Sequence, residues 1–423
     1  MKKPATPPDV GKFLNFKLLT DDGGIYKHWD KLRFAKLPEN IPDYESWWAM
    51  IKIKRRNNYK DLNIKGIDGI PFKFIMLDEF QKTTHFLDQF ASGNIAVEKP
   101  ILNPQMKDYY LISSLMEESI TSSQLEGATT TRDIAKKMIR ENRAPRNKSE
   151  QMIINNYEAI NFARSVKREN LSPELIKEIH RIISKNTLDD PEKSGVYRNG
   201  ADDIRVMTYD NELIFKRIAE LCKFANEEDP TIFIHPVIKA VIIHFLLSYI
   251  HPFIDGNGRT ARALFYWYML KKGYWLAEFI SISRILKNAP AKYTMSYLYT
   301  ETDENDLTYF IDYQLKTIRR AIDELNSYIR RKMSELESAE KLLKNTKFAD
   351  VLNIRQLTFL ESALKSPGTI YTIQEYKNMH NVVYQTARQD LIDLSDRHGL
   401  IIKLKKGKTF VFIAPVDLEA RLK

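Results

Sequence analysis

Between Pro236 and Ile250 the apolar residues Val237, Ile238, Val241, Ile242, Phe245, Leu246 and Tyr249 recur at threes and fours, the period of a helix with a buried face. That helix is expected to stop at His251-Pro252. The helical period returns from Arg259 to Lys272, so Asp255-Gly256-Asn257-Gly258 reads as a turn delivering the chain into a second helix. Upstream, Gln105 to Glu126 carries Tyr109, Leu111, Ile112, Leu115, Met116, Ile120 and Leu125 mostly on one stripe and ends at Gly127. Downstream, Leu307, Ile311, Leu315, Ile318, Ile322, Leu325, Ile329, Met333 and Leu336 predict a long helix over 306–344. Such a stripe packs against a core or acts as a spacer, and it could also seat a homodimer. From Ile354 to Ala414 the pattern is helix, turn, helix, turn, helix, hairpin. The first hundred residues hold Trp29, Trp47 and Trp48 among helix-like and strand-like pieces, with Gly66, Gly69 and Pro71 marking a turn.

Composition narrows the class. A 423-residue chain with 43% apolar and 28% charged residues is folded material of two or three domains. Its single cysteine, Cys222, excludes a disulfide framework and suits a reducing compartment, and with the scattered histidines it makes no zinc pattern. The basic, proline-bearing Met1–Pro8 lacks an apolar stretch, and Val237–Ile250 is too short and too mixed to span a bilayer. A cytoplasmic protein without membrane contact is the expectation. The net charge of +10 reads mainly as a lysine-rich surface, and the cluster Lys52, Lys54, Arg55, Arg56 and Lys60 as a solvated helix face.

The segment His251 to Arg262, HPFIDGNGRTAR, concentrates the chemistry. At a helix N-terminus, free N–H groups attract anions, and Gly256 and Gly258 let a phosphate approach the backbone closely. Arg259 and Arg262, three apart on the first turn, can project toward one ligand. Asp255 is a hard oxygen donor suited to Mg²⁺ held with the help of phosphates. His251 is the one member that could accept a proton near neutral pH. His235 reads as a helix start and His244 as a core histidine.

This string matches the Fic-domain pattern HxFx(D/E)GNGRxxR at every specified position, and the chain resembles that family. The resemblance implies transfer of AMP from ATP to a hydroxyl of a protein target, or of the protein itself. His251 would take the hydroxyl proton and Asp255 would hold Mg²⁺. Asn257 with the Gly256 and Gly258 backbone would cradle the α- and β-phosphates, while Arg259 and Arg262 would bind the outer ones. Ser122 through Gly127, SSQLEG, resembles the family's inhibitory motif (S/T)xxxE(G/N). There Glu126 would pair with Arg262 and deny it to the γ-phosphate, or position water in a reverse, AMP-removing reaction. Ser194 to Arg198, followed by an alternating stretch from Asp203 to Thr208, suggests a β-hairpin resembling the Fic flap, with Gly195, Tyr197, Arg198 and Val206 at its marked positions. A flap of that kind would register an extended target segment by strand addition. The proline-rich stretch that often follows it is missing here.

Residues 347–423 resemble a winged helix, with Tyr384–Leu394 in the recognition place and Lys405-Lys406-Gly407-Lys408 as the wing. Their 12 Lys/Arg exceed 8 Asp/Glu by four, but the third helix offers Arg388 alone before Asp390, Asp393 and Asp396. DNA contact through Arg388, Lys403, Lys405, Lys406 and Lys408 and docking to a protein stand level.

The fold expected is mainly α: a Fic-like helical bundle with a β-hairpin flap, followed by a winged-helix domain. The divisions are an N-terminal region over 1–100, a catalytic domain over 101–305 with its inhibitory helix near 105–127, a connector over 306–346, and the C-terminal domain over 347–423. The expected function is autoinhibited AMP transfer. The rival is a regulator or docking protein that uses the C-terminal domain and keeps the Fic site as a nucleotide sensor or AMP-removing centre.

Overall fold

A computed structural model describes residues 26–39, 41–89, 104–199, 211–344, 348, 351–406 and 409–422. Short helices α1 (Trp29–Leu32) and α2 (Tyr44–Arg56) lead into an antiparallel hairpin, β1 (Tyr59–Lys65) and β2 (Pro71–Ile75), and then α3 (Asp78–Leu87). The bundle follows: α4 (Pro104–Leu125), α5 (Arg132–Glu141), α6 (Lys148–Ser165), α7 (Pro173–Ser184), α8 (Asn211–Asn226), α9 (Pro236–Ile250), α10 (Asn257–Lys271), α11 (Ile282–Asn288), α12 (Pro290–Thr302) and the 37-residue α13 (Thr308–Lys344).

The centre is the pair α9 and α10. His235 caps α9 by accepting from the Val237 N–H at 3.3 Å, Pro236 takes the first helical place, and nearly every following side chain is buried. A helix apolar on all sides must lie inside the bundle. Helices α6 and α7 cover one side of α10, and α4 lies against α6 and α11.

One hydrophobic core crosses the sequence divisions at residues 100 and 306. It joins Phe72, Phe74 and Phe80 of the N-terminal region, Ile176 and Ile179 of α7, the α9–α10 pair, and Phe310 to Ile329 of α13. The basic cluster of α2 is solvated only in part: Arg56 is exposed, while Arg55 and Lys52 turn inward. Arg55 is 4% exposed, donates to Tyr309 Oη at 2.7 Å and to the Lys27 carbonyl at 2.8 Å, and its guanidinium lies 3.6 Å from the Tyr26 ring centre. Lys52 pairs with Asp303 at 2.7 Å. These cations tie the N-terminal region to the α12–α13 corner.

The C-terminal unit has its own core, including Phe359, Leu360, Tyr376, Leu391, Leu394 and Phe412. It runs α14 (Ile354–Lys365), β3 (Ile370–Thr372), α15 (Ile373–His380), α16 (Tyr384–Ile392) with a π-helical extension to Arg397, β4 (Ile402–Lys406), β5 (Thr409–Ile413) and α17 (Leu418–Leu422). Its sheet is antiparallel in the order β3-β5-β4. Capping boxes at Asn353 and Thr372 begin α14 and α15. Asp390 is not part of an acidic surface: it is 5% exposed and accepts from Arg355 Nε at 2.7 Å, Asn353 Nδ2 at 2.9 Å and Tyr376 Oη at 3.1 Å. Helix α15 packs on α4 and α5, placing this unit against the helix that leads into Glu126.

Candidate active site

The α9–α10 connection is held in one shape by its own polar groups. His251 ends α9 in the left-handed region with φ 50°, its N–H donating to the Leu247 carbonyl at 3.0 Å. A non-glycine residue held there is strained by about 1–2 kcal/mol, a cost that surrounding contacts must offset. Asn257 bridges the loop, accepting from the Phe253 N–H at 2.9 Å and donating to the Phe253 carbonyl at 2.8 Å. Its side-chain amide is thereby engaged, so what Asn257 can offer a ligand is its main chain. Gly256 has φ 81° and backs onto His180, leaving no room for a Cβ without a shift. Helix α10 therefore starts at Asn257, two residues earlier than its apolar period suggests, and Gly258 lies in its first turn.

The two arginines face different ways. Arg259 is fully buried behind the turn, reaching the Ile183 carbonyl at 3.3 Å and Asp255 Oδ2 at 3.4 Å, with Nε unpartnered. In this arrangement it braces the turn. Arg262 lies beside the turn's glycine, and its neighbours come from α4. Its Nε donates to Ser122 Oγ at 2.8 Å, and its Nη2 to the Ser122 carbonyl at 3.1 Å and to Glu126 Oε1 at 2.8 Å. The Glu126 carboxylate also stands directly over Gly258, where an added Cβ would collide with Oε1. A carboxylate thus stands against the first turn of α10.

Residues 170–269 match the model of the Fic/DOC family, and they contain α7 to α9, the turn and most of α10. This stretch is a Fic domain. The chain is 27% identical over 210 residues to a protein named protein adenylyltransferase Fic from Nematostella vectensis, a match covering 47% of this chain and 45% of that protein. It is 32% identical over 111 residues to protein adenylyltransferase fic-1 of Caenorhabditis elegans, covering 26% of this chain and 21% of the other. The chain thus spans less than half the length of either relative. Among solved structures, a Fic family protein from Desulfovibrio desulfuricans G20 is similar with a TM-score of 0.50 and 16% identity over 80% of this chain and 96% of that one, a likeness of fold.

The Fic loop also depends on residues that the sequence did not single out for it. His180 of α7 accepts from the Gly195 N–H at Nδ1 (3.0 Å), which leaves the proton on Nε2 to donate to the Asp255 carbonyl at 2.8 Å. Its ring stacks on Phe253 with centroids 3.6 Å apart. Burial lowers its pKa to about 4, so it stays neutral. The available signal was a histidine set among the buried isoleucines 176, 179 and 183. Arg198, predicted as a flap residue, is 1% exposed and clamps the loop from the other side. Its Nε donates to the His251 carbonyl at 2.7 Å and its N–H to the Pro252 carbonyl at 2.8 Å. Gly195 is the bend, with φ 74°, that aims its N–H at His180, and Tyr197 packs on Phe253. Residues 196–199 form no strand, while Val206 and the second half of the expected hairpin lie outside the described residues.

Electrostatics set the protonation of His251. Burial holds the His251 imidazole below its ordinary pKa, Arg198 pushes the same way, and the Ser248 main chain, Glu126 and Asp255 oppose it. Asp255 is half exposed, with Oδ1 accepting from the Gly256 N–H at 2.6 Å and Oδ2 beside Arg259. Behind Arg262, His244 Nε2 bonds Tyr293 Oη at 2.9 Å, and Tyr293 bonds Tyr297 at 3.0 Å. His244 is a core histidine, as its place on the helix implied.

Proposed function

We propose that this protein transfers AMP from ATP to a hydroxyl of a protein target or of its own chain, and that Glu126 restrains the reaction by pairing with Arg262. One observation carries the reading: a carboxylate already sits in the α10 cradle and on Arg262, where the triphosphate would bind. The activity for which the relatives are named, protein adenylyltransferase, supports the same chemistry. The target oxygen attacks the α-phosphorus and its proton passes to the neutral His251 imidazole. The bond to the β-phosphate oxygen breaks and pyrophosphate leaves. Such a displacement needs positioning and charge neutralisation above all. The N–H groups at Asn257 and Gly258 and the Arg262 guanidinium supply both once Glu126 has moved, with Arg259 keeping the turn rigid.

Mg²⁺ fits the donor set. Asp255 is exposed with lone pairs to spare, and no group of three or more His, Cys, Asp or Glu among the described residues would hold a metal without phosphate oxygens. When bound, the ion would neutralise charge on the phosphates. The protein works in the cytoplasm on this reading, in keeping with a buried Cys222 thiol whose pKa burial raises to about 12. No helix among the described residues is long and apolar enough to cross a membrane.

The test is incorporation of label from ATP. Wild type is expected to be weak, Glu126→Gly stronger by at least tenfold, and Glu126→Gly with His251→Ala inactive. No gain in Glu126→Gly would remove the restraint, and label persisting without His251 would remove the mechanism.

A second reading concerns residues 347–423 as a winged helix that binds DNA. The inward turn of Asp390 favours it, because α16 then carries less negative charge at its surface than its sequence suggests. Lys403 counts against it, being paired with Asp396. Arg388 and Lys405 remain as candidate contacts; the Lys406 side chain and Lys408 lie outside the described residues. Exchanging Arg388 and Lys405 for alanine should weaken DNA binding and reduce its salt dependence. A mobility shift equal to wild type would leave protein docking as the use of this unit.

A further inference from the structure

A second concentration of positive charge lies on the far flank of α4, away from the turn. There α4, α5, α11 and α13 enclose a cavity of about 400 Å³, a volume within the range of small-ligand pockets. Five cations line it, Arg132, Lys136, Arg140, Arg284 and Arg331, against two carboxylates, Glu117 and Glu324. The carboxylates are already used: Glu117 accepts from Arg132 Nε at 2.8 Å and lies 3.3 Å from Lys136 Nζ, while Glu324 is bonded by Arg284. No carboxylate among the described residues comes within ion-pair distance of Arg140. Lys136 has its pKa lowered by burial, and Arg132 and Arg140 add to the effect while Glu117 opposes it. The Tyr328 ring, Phe279 and the Ser113 and Ser114 positions complete the wall. Unbalanced cations around a polar hollow are the chemistry of phosphate recognition, in which guanidinium groups bind phosphate oxygens in pairs.

We propose that this cavity binds a compact phosphorylated anion carrying two or more negative charges, and that its occupation holds α4 in the inhibitory position. The second half follows from what the walls are. The cations come from α5, α11 and α13, the serines and Glu117 from α4. An anion drawing them together stabilises the docked arrangement that it requires. Glu126, at the end of the same helix, is kept on Arg262.

Binding does not depend on whether the turn transfers AMP, so it is tested without turnover. Tripolyphosphate is titrated into the full chain by calorimetry in the absence of Mg²⁺, and ligand-free melting checks the folding of each variant. Wild type is expected to bind, and Arg140→Gln with Arg284→Gln to lose at least tenfold in affinity. Gly258→Ala, which crowds the cradle at the turn and meets Glu126 Oε1 there, should lose less affinity than the double variant. Loss in Gly258→Ala with retention in the double variant would put the anion at the turn and overturn the site, as would no binding to wild type. Hydrogen exchange along α4 should slow on adding tripolyphosphate to wild type and not to the double variant. Unchanged or faster exchange in wild type would overturn the coupling.

Discussion

His180 and His251 meet at the same loop, and their surroundings give them different work. Hydrogen bonds on both ring nitrogens make His180 a fixed strut, whereas the His251 ring has one such bond, to the Ser248 main chain, beside the clamping of its own backbone by Leu247 and Arg198. For His251 the sign is clear. A histidine whose pKa is depressed keeps its basic, neutral form at lower pH, so the acid limb of activity should fall below the ordinary 6.5. Measured as kcat/KM of Glu126→Gly between pH 5 and 8, a limb centred above 7 would contradict the assignment. His180→Phe keeps the stack on Phe253 and leaves the Asp255 carbonyl and Gly195 N–H without partners. At about 1–3 kcal/mol for each buried group left unsatisfied, chemical denaturation should report a loss of about 2–6 kcal/mol, together with loss of transfer. The sequence disclosed His251 through Arg262 because all those groups fall within one turn and one helix start. It did not disclose His180, 75 residues before its partner Asp255, since a contact of that range leaves no local period. Asp390 was misread for the same reason, as only the fold brings Arg355 to it.

Helix α4 would carry the proposed restraint. Its expected stripe exists, but Leu115 to Ser123 are buried on every side, polar residues included. What makes that burial tolerable is partnering: Glu117 with Arg132 and Lys136, and Glu118 with the Ser281 hydroxyl at 2.8 Å and the Ser283 N–H at 3.0 Å. The stripe was legible and these partners were not, because they come from α5 and α11. The Glu126 carboxylate keeps 29% exposure while its partner Arg262 has 2%, so the glutamate can leave into water and the arginine cannot. Ser122 holds the same arginine through its hydroxyl and carbonyl, and only the hydroxyl is removed in Ser122→Ala. A hydrogen bond to a buried charge contributes about 1.5–3 kcal/mol, of which the remaining Glu126 contact would preserve part of the restraint. Label incorporation should therefore rank Glu126→Gly above Ser122→Ala and both above wild type. A Ser122→Ala rate matching Glu126→Gly would mean that the hydroxyl, and not the carboxylate, sets the position of Arg262. Strand β3 escaped the sequence reading altogether, for three residues are too few to show alternation.

Across the whole molecule, four buried histidines link stability to acid. Burial lowers the pKa of His28, His180 and His380 to about 4 and that of His244 to about 3. They sit in different places: His28 at the N-terminal corner against Tyr299, His180 under the Fic loop, His244 behind Arg262 and His380 in the C-terminal core. In each case the unfolded chain takes up a proton near pH 6.5 and the folded chain does not, so their contribution is fully present above 6.5 and is lost as pH falls toward 4. Each such group tilts stability by up to about 1.4 kcal/mol per pH unit within that window. Asp306 works the other way, its pKa raised by burial and by Asp303, which favours the folded state in acid and offsets part of the loss. Glu301 and Asp312, also raised by burial, act with Asp306, and four histidines against these three carboxyls leave the balance with the histidines. Melting followed from pH 7.5 to 5 should show a falling midpoint that begins near 6.5, above the range where exposed carboxylates titrate. Because the C-terminal unit has a separate core, His380→Phe should flatten the pH response of that unit while leaving the bundle's own response in place. A midpoint constant down to pH 5 in the wild type would mean that these rings are hydrated, and with that the rigid, neutral strut assigned to His180 would fail as well.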